Sequence, residues 1–354
     1  MSTTLSGKWV WAWNWRRCDD GDPDRVASRL AAAGCRGAIV KAFDGPYWFD
    51  QSAPWRDIAG ALQSASGGRL AVGGWGYLYG DDIPGEAQRA IETAQYGGAD
   101  LLVLDVESEF KGRPDAADQL CRLIRDALGP DYPIYFSSFA IARYHRSFPF
   151  ETFRRYCTGA APQVYWNAFR WPLDQSLAWT YEDYAALGIP PSDVFPVGGL
   201  YQEGFVTYPD AEEVRDFIAR SALGGSAGVS FWSYEHMSDE MWEAVRLRRI
   251  GGEEEAEMSS QEYQQVTRAL AEVGARVDRL EAQVQTLSAP DQIGAPPPPP
   301  ASGARTYTVQ PGDSLSAIAA RFGLPDWRPL YEANAAVIGD NPDLIYPGQV
   351  LVLP

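Results

Sequence analysis

Three acids stand two residues apart in the stretch ADLLVLDVESEFKG, Ala99 to Gly112: Asp105, Glu107 and Glu109. The run Leu101 to Leu104 just before them is continuously apolar, the pattern of a strand buried on both faces. Alternate side chains of a strand point the same way, so the three acids share one side for as long as the strand lasts. With a rise of about 3.3 Å per residue, the Cα atoms of Asp105 and Glu107 lie roughly 6.6 Å apart. Two carboxylates converging at the end of a buried strand repel each other and lose water. One is then expected to hold its proton at neutral pH while the other stays ionised. That is the equipment for breaking a glycosidic bond: an acid for the leaving oxygen and a negative charge beside the forming oxocarbenium ion. The same stretch also fits a solvated strand end carrying surface acids.

The elements that must position these acids alternate along the first 250 residues. Strands are expected at 8–15, 36–43, 70–79, 101–107, 133–139, 163–168, 194–200 and 228–233. Helices are expected at about 23–33, 54–65, 84–97, 114–128, 150–157, 173–187, 210–223 and 239–248. Several helices open on Pro and end on Gly, as start and stop signals should. Eight βα units of this length predict an α/β chain folded as a (β/α)8 TIM-type barrel over residues 1–250. A doubly wound sheet would carry a Gly-rich phosphate turn after the first strand, and NWRRCDDGD is not one.

In a barrel, function gathers at the C-terminal ends of the strands. Those ends hold Asn14, Lys41 and Asp44, Trp75 and Tyr77, Asp105 and Glu107, Ser137, Tyr165 and Asn167, Tyr201 and Glu203, and Trp232, Tyr234 and Glu235. The set surrounds one carboxylate pair with aromatic and hydrogen-bonding groups and suits a neutral, polyhydroxylated substrate. Lys41, Trp75, Tyr77, Tyr165, Asn167, Trp232 and Tyr234 are the candidate substrate-binding residues, although each aromatic taken singly also reads as packing.

Composition narrows the partners. A net charge of −17 argues against nucleic acid, which needs a basic face. The two histidines exclude a histidine-rich metal site, and no metal or other cofactor is expected. Cys18, Cys35, Cys121 and Cys157 lack metal spacing and read as reduced, buried thiols. No apolar run reaches the roughly 18 residues of a membrane span, and the N-terminus lacks the pattern of a signal peptide. The expectation is synthesis in the cytoplasm, with action elsewhere requiring release or carriage.

After an acidic hinge, GGEEEAE, Tyr263, Val266, Leu270, Val273, Val277, Leu280, Val284 and Leu287 follow alternating spacings of three and four. This is an a/d seam, which predicts a coiled-coil helix within 251–288 and a homo-oligomer formed through 263–287. A proline-rich linker, 289–305, contains five consecutive prolines, Pro296 to Pro300, and should be a stiff polyproline II spacer.

The last fifty residues predict a small βααβ unit over 306–354. The patterns Y-x-V-x-x-G-D-S-L-x-x-I-A from Tyr307 and N-P-D-L-I-Y-P-G-Q-x-L-x-L-P to Pro354 resemble the LysM domain over nearly its whole length. The resemblance implies binding of N-acetylglucosamine-containing glycans such as peptidoglycan. Its groove would set Gly312, Asp313, Ser314 and Leu315 opposite Pro342, Leu344, Ile345 and Tyr346, with Leu315 and Ile345 also readable as core.

The barrel resembles the lysozyme-type muramidases of glycoside hydrolase family 25. The matching segments are IVKAFDG from Ile39, LVLDVE from Leu102, IYFS from Ile134 and VYWNA from Val164. That resemblance makes Glu107 the general acid and Asp105 the negative charge that stabilises the transition state. It also implies an Asp at the end of the first strand, where this chain has Asn14; Glu235 near the last strand is the candidate substitute. The reading is a peptidoglycan hydrolase, of phage or prophage lysin type, acting at the cell wall and anchored there by LysM. The alternative is a non-catalytic, glycan-binding structural component of a phage tail or related particle.

Overall fold

The structure, a computed structural model, describes residues 4–49, 53–204, 206–250, 305–310, 313–338, 345 and 349–354. The chain divides into two compact units, Met1–Glu262 and Tyr263–Pro354. The hinge, the heptad seam at 263–287 and the proline-rich stretch up to residue 304 lie outside the described residues, as do Gly312, Pro342, Leu344 and Tyr346.

The first unit is a closed parallel barrel. Its strands are β1 (Gly7–Ala12), β2 (Gly37–Asp44), β4 (Ala71–Leu78), β5 (Leu101–Val106), β6 (Ile134–Phe139), β7 (Gly159–Val164), β8 (Val197–Gly199) and β9 (Gly228–Trp232). Each pairs in parallel with the next, and β1 closes the ring by pairing with both β2 and β9. A two-residue strand, β3 (Tyr47–Trp48), folds back antiparallel on β2, setting Phe43 opposite Trp48 and Asp44 opposite Tyr47. Closure draws backbones together: at Gly37 a Cβ would sit 2.1 Å from the Ala71 carbonyl oxygen, so only glycine fits.

Helices follow the strands and cover the barrel: α1 (Pro23–Ala32), α2 (Trp55–Ala65), α3 (Ile83–Gln95), α4 (Pro114–Leu128), α5 (Phe150–Tyr156), α6 (Trp166–Phe169), α7 (Leu173–Ala186), α8 (Ala211–Leu223) and α9 (Asp239–Leu247). Local signals start them. Asp22 accepts from the backbone of Asp24 and Arg25 ahead of Pro23, and Asp210 with Glu213 forms a capping box. Period-two alternation sorts the strand residues. Trp9, Trp11, Ile39, Trp75, Leu101, Val103, Tyr135 and Val197 fill the barrel, while Val10, Val40, Leu102, Leu104, Phe136 and Phe231 pack under the helices.

The largest departure from the sequence expectation is β7, which runs Gly159–Val164 rather than 163–168. The aromatic run after Val164 looks strand-forming, but Trp166 turns outward to stack on Phe217 of α8, centroids 5.1 Å apart, and the chain enters α6. The small residues of GAAP look unlike a strand, yet they fit a crowded position: a Cβ on Gly159 would lie 2.5 Å from the Asp193 carbonyl oxygen. Tertiary packing overrides propensity here. The first strand is also shorter than expected, ending at Ala12, with Trp15–Arg17 in a 3-10 turn.

The second unit, among the described residues, pairs β10 (Thr306–Thr308) antiparallel with β11 (Val350–Val352) beside α10 (Leu315–Arg321), α11 (Arg328–Glu332) and a short α12 (Ala335–Ile338). Val309, Leu315, Ile318, Leu330, Ile338 and Leu351 form its core. Buried Asn334 ties helix to sheet. Its amide donates to the Leu330 and Val352 carbonyls, and its oxygen accepts from Val352 N–H.

Candidate active site

The inward side of β5 reads Leu101, Val103, Asp105, with the first two in the barrel core and the third at its C-terminal mouth. β5 ends at Val106, so Glu107 is the first residue beyond it and Glu109 lies in the 3-10 turn Ser108–Phe110. Asp105 is buried and Glu107 half-buried. They are joined by a residue that the sequence reading passes over. The Gln163 side-chain amide, on the neighbouring face of β7, donates to Asp105 Oδ1 at 3.1 Å and Glu107 Oε1 at 3.0 Å, with Ser137 Oγ 3.3 Å away. The misplaced start of β7 hid Gln163. Counting back by two from Tyr165 into the true strand would have found it.

Loss of water on burial, then the charge of Glu107, push the Asp105 carboxyl well above its ordinary range; Lys41, Ser137 and Gln163 pull weakly the other way. Burial beside Glu107 therefore favours the neutral form of Asp105, a direction that runs against its supplying a standing negative charge. Tyr77 and Tyr165 flank the pair closely enough that burial and the nearby acids raise both phenols. The Tyr77 hydroxyl donates to Glu109 Oε2 at 2.8 Å, which ties the third acid to β4.

Beneath lies an aromatic floor. Trp11, Trp75 and Trp232 meet edge to face in a triangle with centroid distances of 5.4 to 6.0 Å. Trp75 is buried in this packing, its indole donating to the Ala12 carbonyl, so it supports the site rather than stacking on a ligand; half-buried Trp232 keeps a share of surface. Lys41 is buried beside it, 3.0 Å from Asp44 and with its ammonium over the rings of Phe49 and Trp75.

Other candidates take structural positions. The Glu235 carboxylate accepts from the backbone of Trp13 and of Asn14, the latter at 2.8 Å, and so fastens the loop after β1. It is a loop anchor rather than a substitute acid, and Asn14 meets it through its backbone. Tyr234 is buried on the helix side, packed edge-on against Trp242 and bonded to Asp19, instead of facing the mouth. Asn167 donates to the Thr207 carbonyl and packs near Gly199 beside Tyr165 and Tyr201.

In the second unit, Asp313 accepts from the Tyr307 hydroxyl and the Gln310 backbone, bracing its own turn. Ser314 caps α10 through Ala317 N–H, and Leu315 is core. These three side chains therefore build the unit, while Gly312, Pro342, Leu344 and Tyr346, expected to complete a groove with them, lie outside the described residues. Ile345 is half-buried against the same core.

Residues 307–354 match the LysM domain. Over 57 residues the chain is 44% identical to the potassium binding protein Kbp of Escherichia coli O6:H1, a stretch that is 16% of this chain and 38% of that protein. The chain thus spans well under half the length of this curated relative. The barrel is similar to the spore cortex-lytic enzyme SleL of Bacillus cereus, with a TM-score of 0.53 and 10% identity over 70% of this chain and 75% of that one. It is likewise similar to a GH18 chitinase from Cycas revoluta solved with (GlcNAc)3, at 0.52 and 11% over 68% and 98%. A chitinase-like agglutinin from Robinia pseudoacacia matches at 0.54 and 10% over 68% and 98%. At these identities the likeness shows the TIM-barrel fold and no more. The narrower resemblance to family 25 muramidases rests on short motifs alone.

Proposed function

We propose that this chain is a cell-wall glycan hydrolase whose barrel cleaves N-acetylglucosamine-containing strands such as peptidoglycan while LysM holds it on them. The observation that carries the reading is the Asp105–Glu107 pair, bridged by one Gln163 amide at the barrel mouth. The pair shares one proton, which burial favours on Asp105 in the resting site; Glu107, the more open of the two, takes it up and delivers it to the glycosidic oxygen as Asp105 ionises. The resting site thus offers no standing anion at Asp105, and Asn14 offers no acid opposite. The attacking group is then the substrate's own 2-acetamido oxygen, which bonds to the sugar C1 as the C1–O bond breaks. Tyr165, beside both acids, steadies that acetamido group. Water then adds at C1 as the bond from C1 to the acetamido oxygen breaks, and the Glu107 carboxylate takes a proton from that water. Oligomerisation through 263–287, which would multiply wall contacts, and delivery by release or on a phage-like particle belong to the same proposal.

Two observations favour a second reading, glycan binding without cleavage: Asn14 occupies the place of an expected acid, and a protein named an agglutinin shares the fold. Clearing of purified cell walls separates the two. Glu107→Gln should lower clearing by about 10²–10⁴-fold. Equal, background-level clearing by wild type and variant would leave only the binding protein.

A further inference from the structure

Two of the cysteines meet on the helix side of the barrel, although their spacing along the chain suggests no pairing. Cys121 is buried in α4, and half-buried Cys157 is the residue on which α5 ends. Both carry free thiols, and both pack into the core beneath the helices. The chain between them, 122–156, holds the rest of α4, all of β6 and all of α5.

The surroundings fix this meeting. Positions 118, 121 and 125 share one face of α4, each a turn from the next. The two that flank Cys121 are bonded to the residues beside Cys157. Asp118 Oδ1 accepts from the Tyr156 hydroxyl at 2.7 Å and pairs with Arg155 at 3.4 Å. Arg125 Nε donates to the Tyr156 carbonyl at 3.0 Å. The end of α5 is thus clamped to α4 one turn before Cys121 and one turn after it, which sets Cys157 opposite. The thiols respond to each other. Contact with Cys157, ahead of burial, holds the Cys121 thiol well above its ordinary range, and the charge of Arg125 reaches both sulfurs. The remaining cysteines are engaged elsewhere: Cys18 donates to the Asn14 carbonyl at 3.4 Å, and Cys35 is buried beside Lys8.

We propose that Cys121 and Cys157 are a redox-modified pair, which closes to a disulfide in oxidising surroundings and staples together the helices that follow β5 and β6. Cys157, the more open thiol, reacts first. Its thiolate attacks a small-molecule disulfide such as oxidised glutathione, so that a bond forms from Cys157 Sγ to one glutathione sulfur and the other glutathione leaves as thiolate. Cys121 then loses its proton and attacks Cys157 Sγ. The Sγ–Sγ bond forms and the second glutathione thiolate departs. The two protons released pass to the two glutathione thiolates; two protein thiols are oxidised and one small disulfide is reduced. The Arg125 guanidinium favours the thiolate form of both residues. Because α4 and α5 are already clamped, the bond stabilises mainly by restricting the unfolded chain, where it closes a long loop.

This inference is independent of what the barrel cleaves, and its test needs no substrate. The full chain is equilibrated with oxidised glutathione or with dithiothreitol. Oxidation should remove one pair of the four thiols titrated after denaturation, and digestion without reductant should yield peptides of Cys121 and Cys157 joined to each other in the mass spectrum. The oxidised protein should melt about 5–15 °C above the reduced one. Cys157→Ser, which leaves buried Cys121 in place, should abolish that gap. Retention of all four thiols, a stable glutathione adduct on Cys157 without closure, or a bond through Cys18, Cys35 or a second chain overturns the pairing. A Cys121–Cys157 bond that leaves the melt unmoved overturns the staple.

Discussion

Replacing Gln163 with Met keeps the length of the side chain and removes its donors. In the protein that amide serves Asp105 and Glu107 at 3.1 and 3.0 Å, so its loss frees both carboxyl groups at once. A hydrogen bond to a charged group is worth about 1.5–3 kcal/mol. The two contacts share one nitrogen and are not additive, so one such bond is the fair measure of the loss. At about 1.36 kcal/mol per decade this predicts a fall in kcat/KM of roughly ten- to a hundredfold. The pH profile supplies a second readout. Gln163 is among the groups that restrain Asp105 from rising further, against burial and the charge of Glu107. Without it the Asp105 carboxyl moves up, and the limb of the kcat/KM profile set by its ionisation shifts to higher pH. The assay is hydrolysis of a chromogenic N-acetylglucosamine oligomer across pH, with a thermal melt to confirm folding. Unchanged kcat/KM with an unmoved limb, or a limb moving to lower pH, would refute the idea that this amide aligns the pair.

Further outcomes are expected elsewhere. Because folding raises the Asp105 pKa above the ordinary 3.8, its contribution to stability is fully present below that value and is lost as pH rises through the folded pKa. Asp105→Asn should therefore melt increasingly above wild type as the pH rises from about 4, while losing activity; a constant gap in melting temperature would contradict the burial argument. Glu235→Ala removes the acceptor for the Trp13 and Asn14 amides and should cost about 1.5–3 kcal/mol in denaturant unfolding, with faster hydrogen exchange at those amides. Its kcat/KM should fall less than about tenfold, whereas a true catalytic acid would cost about 10²-fold or more. Asn334→Leu strands Val352 N–H and two carbonyls, so the LysM unit should lose at least about 2 kcal/mol, read as lost exchange protection in β11.

Much of this was legible along the chain because the signals are local. Alternation of side chains put Leu101, Val103 and Asp105 on one side of β5, and the same rule separated Trp9 and Trp11 from Val10. Asp22, Pro23, Asp210 and Glu213 announced their helices through caps that need only neighbouring residues. Positions fixed by distant partners were not legible. β7 was displaced because Trp166 finds Phe217, and with it Gln163 disappeared from view. Tyr234 and Glu235 stand at a strand end like true rim residues, yet Asp19 and the amides of Trp13 and Asn14 claim them from over two hundred residues away.

By itself, then, the sequence determined that a carboxylate pair would sit at the end of a buried strand in an eight-unit barrel, and that a LysM unit would follow. Tertiary structure alone decided which acid is buried deeper, and so which carboxyl is pushed toward its neutral form, and which residue bridges the two. A carboxyl's proton depends on how much water is removed and which charges stand within a few ångströms, and those neighbours arrive from other strands once the ring has closed.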